Sequence, residues 1–78
     1  MPKKVIVYTA EWCMWCHRLA EFLKKNKVAF EARDVEDAKN AEEAMKKSGQ
    51  AGIPVIDIDG EILVGYNEPK LRELLKLK

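Results

Sequence analysis

A short apolar run near the start of the chain, KVIVYT at residues 4–9, is followed almost at once by residues with helical spacing. The run is continuous and rich in β-branched and aromatic residues, which is typical of a strand buried in the middle of a sheet. From Cys13 to about Lys25 the pattern changes, because one side of the segment is apolar and the other is charged. The apolar side consists of Cys16, Leu19, Phe22 and Leu23. The sequence therefore predicts a central strand that leads directly into an amphipathic helix.

A second strand and a second helix are predicted next. Residues 28–35 alternate loosely, as in a strand, and the segment EDAKNAEEAMKKSG that follows has helical character. Either Asp37 or Asn40 suits the helix start, since Asn40 and Glu43 have the spacing of a capping box, and Gly49 suits its end. The inner stripe of this helix is predicted to be Ala41, Ala44 and Met45, and the lysines at 24–27 and 46–47 are interpreted as solvated surface.

The last third of the chain predicts a hairpin and a third helix. Asp59-Gly60 lies between VIDI and EILVG, and this dipeptide favours a type I′ turn, whose two central residues have positive φ. Asn67 or Glu68, followed by Pro69, opens a helix whose buried face is Leu71, Leu74 and Leu75. The order β-α-β-α-β-β-α predicts one α/β domain over residues 1–78, a four-stranded mixed sheet flanked by three helices, with a right-handed first crossover.

The two cysteines of the chain, three positions apart, are too close together to act as a structural staple. A disulfide that closes so short a loop restricts the unfolded chain very little, so a chemical role is expected. The start of the chain lacks a signal-peptide core, and no apolar stretch approaches the about 20 residues of a membrane helix. We therefore expect a reducing cytoplasm. A formal net charge of +1 predicts neither a nucleic-acid nor a membrane partner, and we expect a monomer.

The Cys13-Met14-Trp15-Cys16 tetrapeptide lies at the junction of the first strand and helix. Cys13 is then at the helix N-terminus, where unpaired amides and the helix dipole favour a thiolate and lower the pKa of the thiol. Cys16 is one turn further along the same face, within the apolar stripe. Cys13 is therefore the expected catalytic nucleophile, at the exposed end, and Cys16 the resolving thiol of a thiol–disulfide exchange. A C-x-x-C pair beside a β-α-β pattern is a fairly specific sign of this chemistry.

Other interpretations of the same residues are weaker. Cys13, Cys16 and His17 formally match a c-type haem attachment signature, but no export signal or haem pocket accompanies it. They provide three ligands where a structural zinc site needs four, so neither a metal nor any other cofactor is expected. His17 is interpreted as an exposed helix residue. An alternative from another class is a non-catalytic module that docks a partner, or carries a metal, through the same surface.

Three stretches, YTAEWCMWCHRLAEFL, GIPVIDIDG and VGYNEPKLRELL, resemble glutaredoxins over essentially the whole chain, most closely NrdH-type redoxins and small glutaredoxin-like proteins. The resemblance implies a thioredoxin fold and an oxidoreductase that reduces protein disulfides. It also implies that Pro54 follows a cis bond and faces the cysteines, with the backbone of Ile53 pairing with the substrate. Trp15 is interpreted as a partly exposed substrate platform, whereas Trp12 is equally consistent with packing and with partner contact. The expected substrate-binding residues are Trp12, Trp15, Ile53, Pro54, Gly65 and Tyr66.

The chain departs from glutathione-using glutaredoxins at three places. Those proteins commonly carry a lysine two or three residues before the first cysteine, where this chain has Ala10 and Glu11. They usually have Thr-Val-Pro where this chain has Gly-Ile-Pro, and often a Gly-Gly pair where it has Gly65-Tyr66. Since Glu11 would repel a glutathione carboxylate, the sequence predicts a thioredoxin-reductase-like electron donor. A glutathione-dependent glutaredoxin is the alternative. Ribonucleotide reductase and general protein disulfides are both possible substrates.

Overall fold

The computed structural model describes residues 4–50 and 52–77 of the protein. These residues form four strands and three helices in the predicted order: β1 (Val5–Thr9), α1 (Met14–Lys25), β2 (Glu31–Asp34), α2 (Ala38–Ser48), β3 (Val55–Ile58), β4 (Glu61–Val64) and α3 (Glu68–Leu75). Within the described ranges, no helix has the length and apolar character needed to cross a membrane.

The four strands form one mixed sheet, as predicted, and their order across the sheet is β2-β1-β3-β4. β1 pairs in parallel with β2 and antiparallel with β3, so that Val7 lies opposite Ala32 on one side and Ile56 on the other. β3 and β4 form the predicted hairpin, and both Asp59 (φ 49°) and Gly60 (φ 93°) have the positive φ that a type I′ turn requires. The continuous apolar run of β1 thus belongs to an interior strand.

Helices cover both faces of the sheet, which explains why β1 is apolar without alternation. On one face, Val5 and Val7 of β1 belong to a core that includes buried residues of α1 and α3, such as Leu19 and Leu71. On the other face, Ile6 and Tyr8 pack with Ala44 of α2. Successive strand residues therefore meet different helices, as the pleat of a strand requires.

The helix ends follow local capping chemistry. Asp37, rather than Asn40, caps α2, since its side chain accepts a hydrogen bond from the Lys39 amide at 2.9 Å. Asn40 instead donates to the Asp34 carbonyl. At the other end Gly49 has a left-handed conformation, as predicted. Asn67 caps α3 by accepting from the Lys70 amide.

Two predictions for the side chains of α2 are wrong. Met45, expected on the inner stripe, is 51% exposed, and Ala44 alone is fully buried on this helix. Lys47, expected in solvent, is largely covered, and its ammonium contacts Asp57 of β3 at 2.7 Å. The second strand is also shorter than the predicted 28–35, since it begins at Glu31.

Candidate active site

Cys13 occupies the N-cap of α1, directly after the turn that follows β1. The Cys13 amide donates to the Ala10 carbonyl at 3.1 Å, and the Cys13 backbone is extended (φ −90°, ψ 107°), as helix N-caps are. Its Sγ accepts a hydrogen bond from the Cys16 amide at 3.2 Å. The sulfur therefore lies where an N-cap oxygen would lie, at the positive end of the helix dipole, which stabilises negative charge on it.

Cys16 lies one turn into α1 and forms a disulfide with Cys13, with the two Cα atoms 5.2 Å apart. Both side chains pack against Ala10, Val35 and Ile53. Cys13 is less exposed than expected, because only 8% of its surface is accessible to solvent. For Cys16 the accessible fraction is 1%. Cys13 is thus the more accessible of the two cysteines, although both are buried. A pair held in this way can pass between dithiol and disulfide with little rearrangement.

A shallow depression of about 220 Å³ is lined in part by Ile53, which packs against the cluster that contains the two cysteines. The Ile53-Pro54 bond is cis, as the resemblance implied. The Gly65 amide donates to the Pro54 carbonyl at 2.8 Å and joins the two loops that form the floor. The depression brings together five of the six expected substrate-binding residues: Trp15, Ile53, Pro54, Gly65 and Tyr66.

Trp12, the sixth, lies elsewhere. It is 71% exposed and lines a second depression of about 190 Å³ between the active-site turn and α2. Val35, Ala44 and the exposed Met45 also line it. Ile53 is common to both depressions and forms the wall between them. Trp12 therefore lies outside the depression that the other five residues line, and Met45 is a residue of this second surface that the helical pattern had predicted in the core.

An aromatic group forms the outer edge of the first depression. The Trp15 ring, 57% exposed, lies 6.2 Å from the Tyr66 ring, whose other neighbour is Phe22 at 6.0 Å. The Arg18 guanidinium lies 5.3 Å from the centre of the Trp15 ring. Trp15 is thus partly exposed, as expected, and its ring lies beside Tyr66.

Tyr66 is half-buried at the rim rather than in the core. Its hydroxyl donates to Glu68 at 3.1 Å. Burial, together with this hydrogen bond to a carboxylate, raises the pKa of the Tyr66 phenol. The phenol is therefore neutral and its ring offers an apolar edge to the depression.

His17 makes a contact that the sequence did not predict. Its side chain is exposed, yet its Nε2–H donates to the Glu11 carbonyl at 2.6 Å. No periodicity or motif indicates such a bond, because the acceptor is a backbone oxygen in a turn. Among the described residues, no group of three or more His, Cys, Asp or Glu side chains is arranged to hold a metal ion.

Comparison with known proteins identifies the family. The Glutaredoxin family model matches residues 5–63. An uncharacterized glutaredoxin-like 8.6 kDa protein from the rubredoxin operon of Clostridium pasteurianum is 37% identical over 90% of this chain and 95% of its own length. The crystal structure of a mutant thioredoxin-like protein has a TM-score of 0.90 at 36% identity, covering 96% of this chain and 97% of the other. The crystal structure of a glutaredoxin from Archaeoglobus fulgidus has a TM-score of 0.87 at 32% identity, covering 95% of this chain and 87% of the other. The thioredoxin-like fold and the Cys13–Cys16 pair thus have one explanation: the chain belongs to the glutaredoxin family.

Proposed function

We propose that the protein is a thiol–disulfide oxidoreductase that reduces protein disulfides through Cys13 and Cys16. The observation that carries the proposal is the position of the Cys13 sulfur, which accepts the Cys16 amide hydrogen at the N-cap of α1 and is bonded to the Cys16 sulfur. This amide stabilises the thiolate of Cys13, the form that attacks disulfides. The second sulfur is already within bonding distance.

The reaction consists of two exchanges. The Cys13 thiolate attacks one sulfur of the substrate disulfide, and the other substrate sulfur leaves as a thiolate that takes a proton from solvent. Cys16 then loses its proton and attacks Cys13, which releases the second substrate thiolate and leaves the Cys13–Cys16 disulfide. Two electrons have passed to the substrate, and an external reductant restores the dithiol.

The first depression suits an extended segment of a substrate protein. Ile53 packs against the cysteine cluster and lines the depression together with Pro54, so a substrate backbone bound there would approach the reacting sulfur. Trp15 and Tyr66 provide apolar surface on the far side. Large aromatic rings of this kind dominate many protein contacts, which favours a protein substrate.

A thioredoxin-reductase-like enzyme is the proposed electron donor. Ala10 is buried and Glu11 is exposed, so the turn before Cys13 presents a carboxylate and no cation to an approaching ligand. Glutathione carries two carboxylates, which Glu11 repels and which a lysine at this place would attract. The proposal includes a monomer in the cytoplasm, where such dithiols are kept reduced.

The donor is tested by following NADPH consumption with insulin as the disulfide substrate. We expect turnover with a thioredoxin reductase and little with glutathione and glutathione reductase. Glu11→Lys should raise the glutathione-driven rate, whereas Glu11→Gln, which removes the repulsion without adding a cation, should raise it less. Fast glutathione-driven turnover by the unmodified protein, with none from the reductase, would identify a glutathione-dependent glutaredoxin instead.

Variants of the two cysteines test the chemistry itself. Cys13→Ser should abolish insulin reduction, and Cys16→Ser should accumulate a stable mixed disulfide between Cys13 and the substrate. If Cys13→Ser binds partners as the unmodified protein does and the unmodified protein reduces nothing, the surface is a docking module without catalysis.

A further inference from the structure

His17 is attached to the active-site turn at two points. Its backbone amide donates to the Cys13 carbonyl at 3.2 Å, which begins the helical hydrogen-bond pattern of α1. Its ring Nε2–H donates to the Glu11 carbonyl at 2.6 Å, six residues earlier in the chain. These two hydrogen bonds therefore hold the backbone of Trp12 and Cys13 at both of its ends, against the first turn of α1.

This attachment matters because the contact made by the Cys13 sulfur depends on the backbone of the turn. Sγ reaches the Cys16 amide only while Cys13 keeps its extended N-cap conformation. Without the His17 side chain, the hydrogen bond from the Cys13 amide to the Ala10 carbonyl still closes the turn. The Glu11 carbonyl, however, loses its link to α1, and the Glu11–Trp12 peptide becomes free to rotate.

We propose that His17 is a positioning residue for Cys13. Through its hydrogen bond to the Glu11 carbonyl it holds the Cys13 sulfur against the Cys16 amide, and so keeps Cys13 in the thiolate form after reduction. The inference rests on the proposed function to the extent that the Cys13 thiolate is the reacting group. The effect is transmitted by backbone geometry, because the acceptor is a main-chain oxygen.

Two substitutions separate positioning from the other effects of an imidazole. His17→Ala removes the donor. His17→Gln keeps a neutral N–H donor of similar reach to Nε2, and it carries no positive charge at any pH. If His17 acts by positioning, His17→Gln should keep the Cys13 reactivity that His17→Ala loses. If the charge of an imidazolium acted directly on the sulfur, both variants should lose that reactivity equally.

The assay is the alkylation rate of Cys13 by iodoacetamide in the reduced protein, with the labelled cysteine located by mass spectrometry. At mildly acidic pH, where ordinary thiols are protonated, His17→Ala should react about 2- to 10-fold more slowly, the range that loss of one hydrogen bond can produce. His17→Gln should react at nearly the unmodified rate. At strongly alkaline pH, where every thiol is ionised, His17→Ala should react at least as fast as the unmodified protein, because access to the sulfur is unchanged and a less stabilised thiolate is the stronger nucleophile.

Three results would overturn the proposal: an unchanged acidic rate in His17→Ala, equally slow Ala and Gln variants, or an alkaline rate of His17→Ala that is also slower than that of the unmodified protein. Because His17 is exposed, both variants are expected to fold, which circular dichroism verifies before the rates are compared. Insulin reduction by the unmodified protein is measured separately. If it is absent while the alkylation pattern holds, the proposed function fails and the role of His17 stands.

Discussion

Replacing Lys47 by Gln should destabilise the protein far more than the same change at its neighbour, Lys46. Lys47 and Asp57 lie 2.7 Å apart, and their side chains are only 28% and 13% exposed. Lys46 makes a comparable contact with Glu42 at 3.2 Å, but those side chains are 76% and 69% exposed. Both lysines belong to α2, so the comparison holds helix context and chemistry constant and varies mainly burial.

The expected cost lies between two limits. An exposed ion pair contributes up to about 1 kcal/mol, and removal of one partner from a fully buried pair costs about 3–5 kcal/mol. The Lys47–Asp57 pair is mostly covered but still touches solvent, which screens it. The Lys47 ammonium also lies 5.2 Å from the centre of the Tyr8 ring, a contact that the substitution removes. We therefore expect a loss of about 1.5–3 kcal/mol for Lys47→Gln and little change for Lys46→Gln.

The pH dependence of this loss follows from the two pKa shifts. Burial opposes ionisation of Asp57, but the hydrogen bonds from Lys47 and from the Gly60 amide, together with the charge of Lys47, outweigh burial and lower the pKa of the carboxyl. Burial likewise opposes the charge of Lys47, but its interactions with Asp57 and Tyr8 together outweigh burial and raise the pKa of the ammonium. The stabilisation from Asp57 is therefore complete above its unfolded pKa and is lost as pH falls through the lower folded value. That from Lys47 is complete below its unfolded pKa and is lost as pH rises through the higher folded value.

Urea unfolding at neutral pH measures the two single variants, and Asp57→Asn with the double variant completes a mutant cycle. The coupling energy should exceed about 1 kcal/mol at neutral pH and disappear in acid. Equal effects of the two lysine substitutions, or a coupling unchanged in acid, would refute the reasoning that burial sets the strength of this ion pair.

Two further outcomes are expected. Leu71→Ala should lower the free energy of unfolding in urea by about 2–5 kcal/mol, because Leu71 is fully buried and belongs to the core formed with α1. The control, Glu73→Ala on the exposed side of α3, should change it little. Similar losses in the two variants would show that Leu71 does not hold α3. In a Trp12→Phe variant, the fluorescence of Trp15 should change when the Cys13–Cys16 disulfide is reduced, since the ring belongs to the same helical turn. An unchanged spectrum would contradict the position of that ring.

The fold could be predicted because each element has its own local signal. The apolar run of β1, the helical stripe of α1 and the Asp59-Gly60 turn each depend on residues close together in the chain. Connection rules then predict that the first two strands are parallel, with a right-handed crossover between them. The predicted cysteine pair and most of the first depression lie on or beside these elements, which is why the structure brings them together.

The parts that could not be predicted depend on contacts between elements. The sequence predicted that Lys47 lies in solvent, because its neighbours in the helical pattern are polar. Its burial follows from a contact with Asp57, which lies on β3 and far away in the sequence. Met45 fits the helical stripe, but it lies at the rim of a depression beside Trp12. The bond from His17 ends on a backbone oxygen. Neither periodicity nor motif spacing reports such contacts, so the sequence predicted which residues gather near the cysteine pair but not these contacts of Lys47, Met45 and His17.

The register of the sheet explains why residues from distant parts of the chain meet at the cysteines. Tyr8 lies opposite Val55, and Val55 lies opposite Val64. Three connections therefore lie together at one end of the sheet: the turn after β1, the loop before β3 and the loop after β4. The Gly65 amide donates to the Pro54 carbonyl there. A slip of one residue in either pairing would turn the core side chains of that strand to the opposite face, so the apolar core fixes the register. The same packing that stabilises the sheet thus places the cysteine turn beside the Ile53-Pro54 loop, where Ile53 packs against the cysteine cluster.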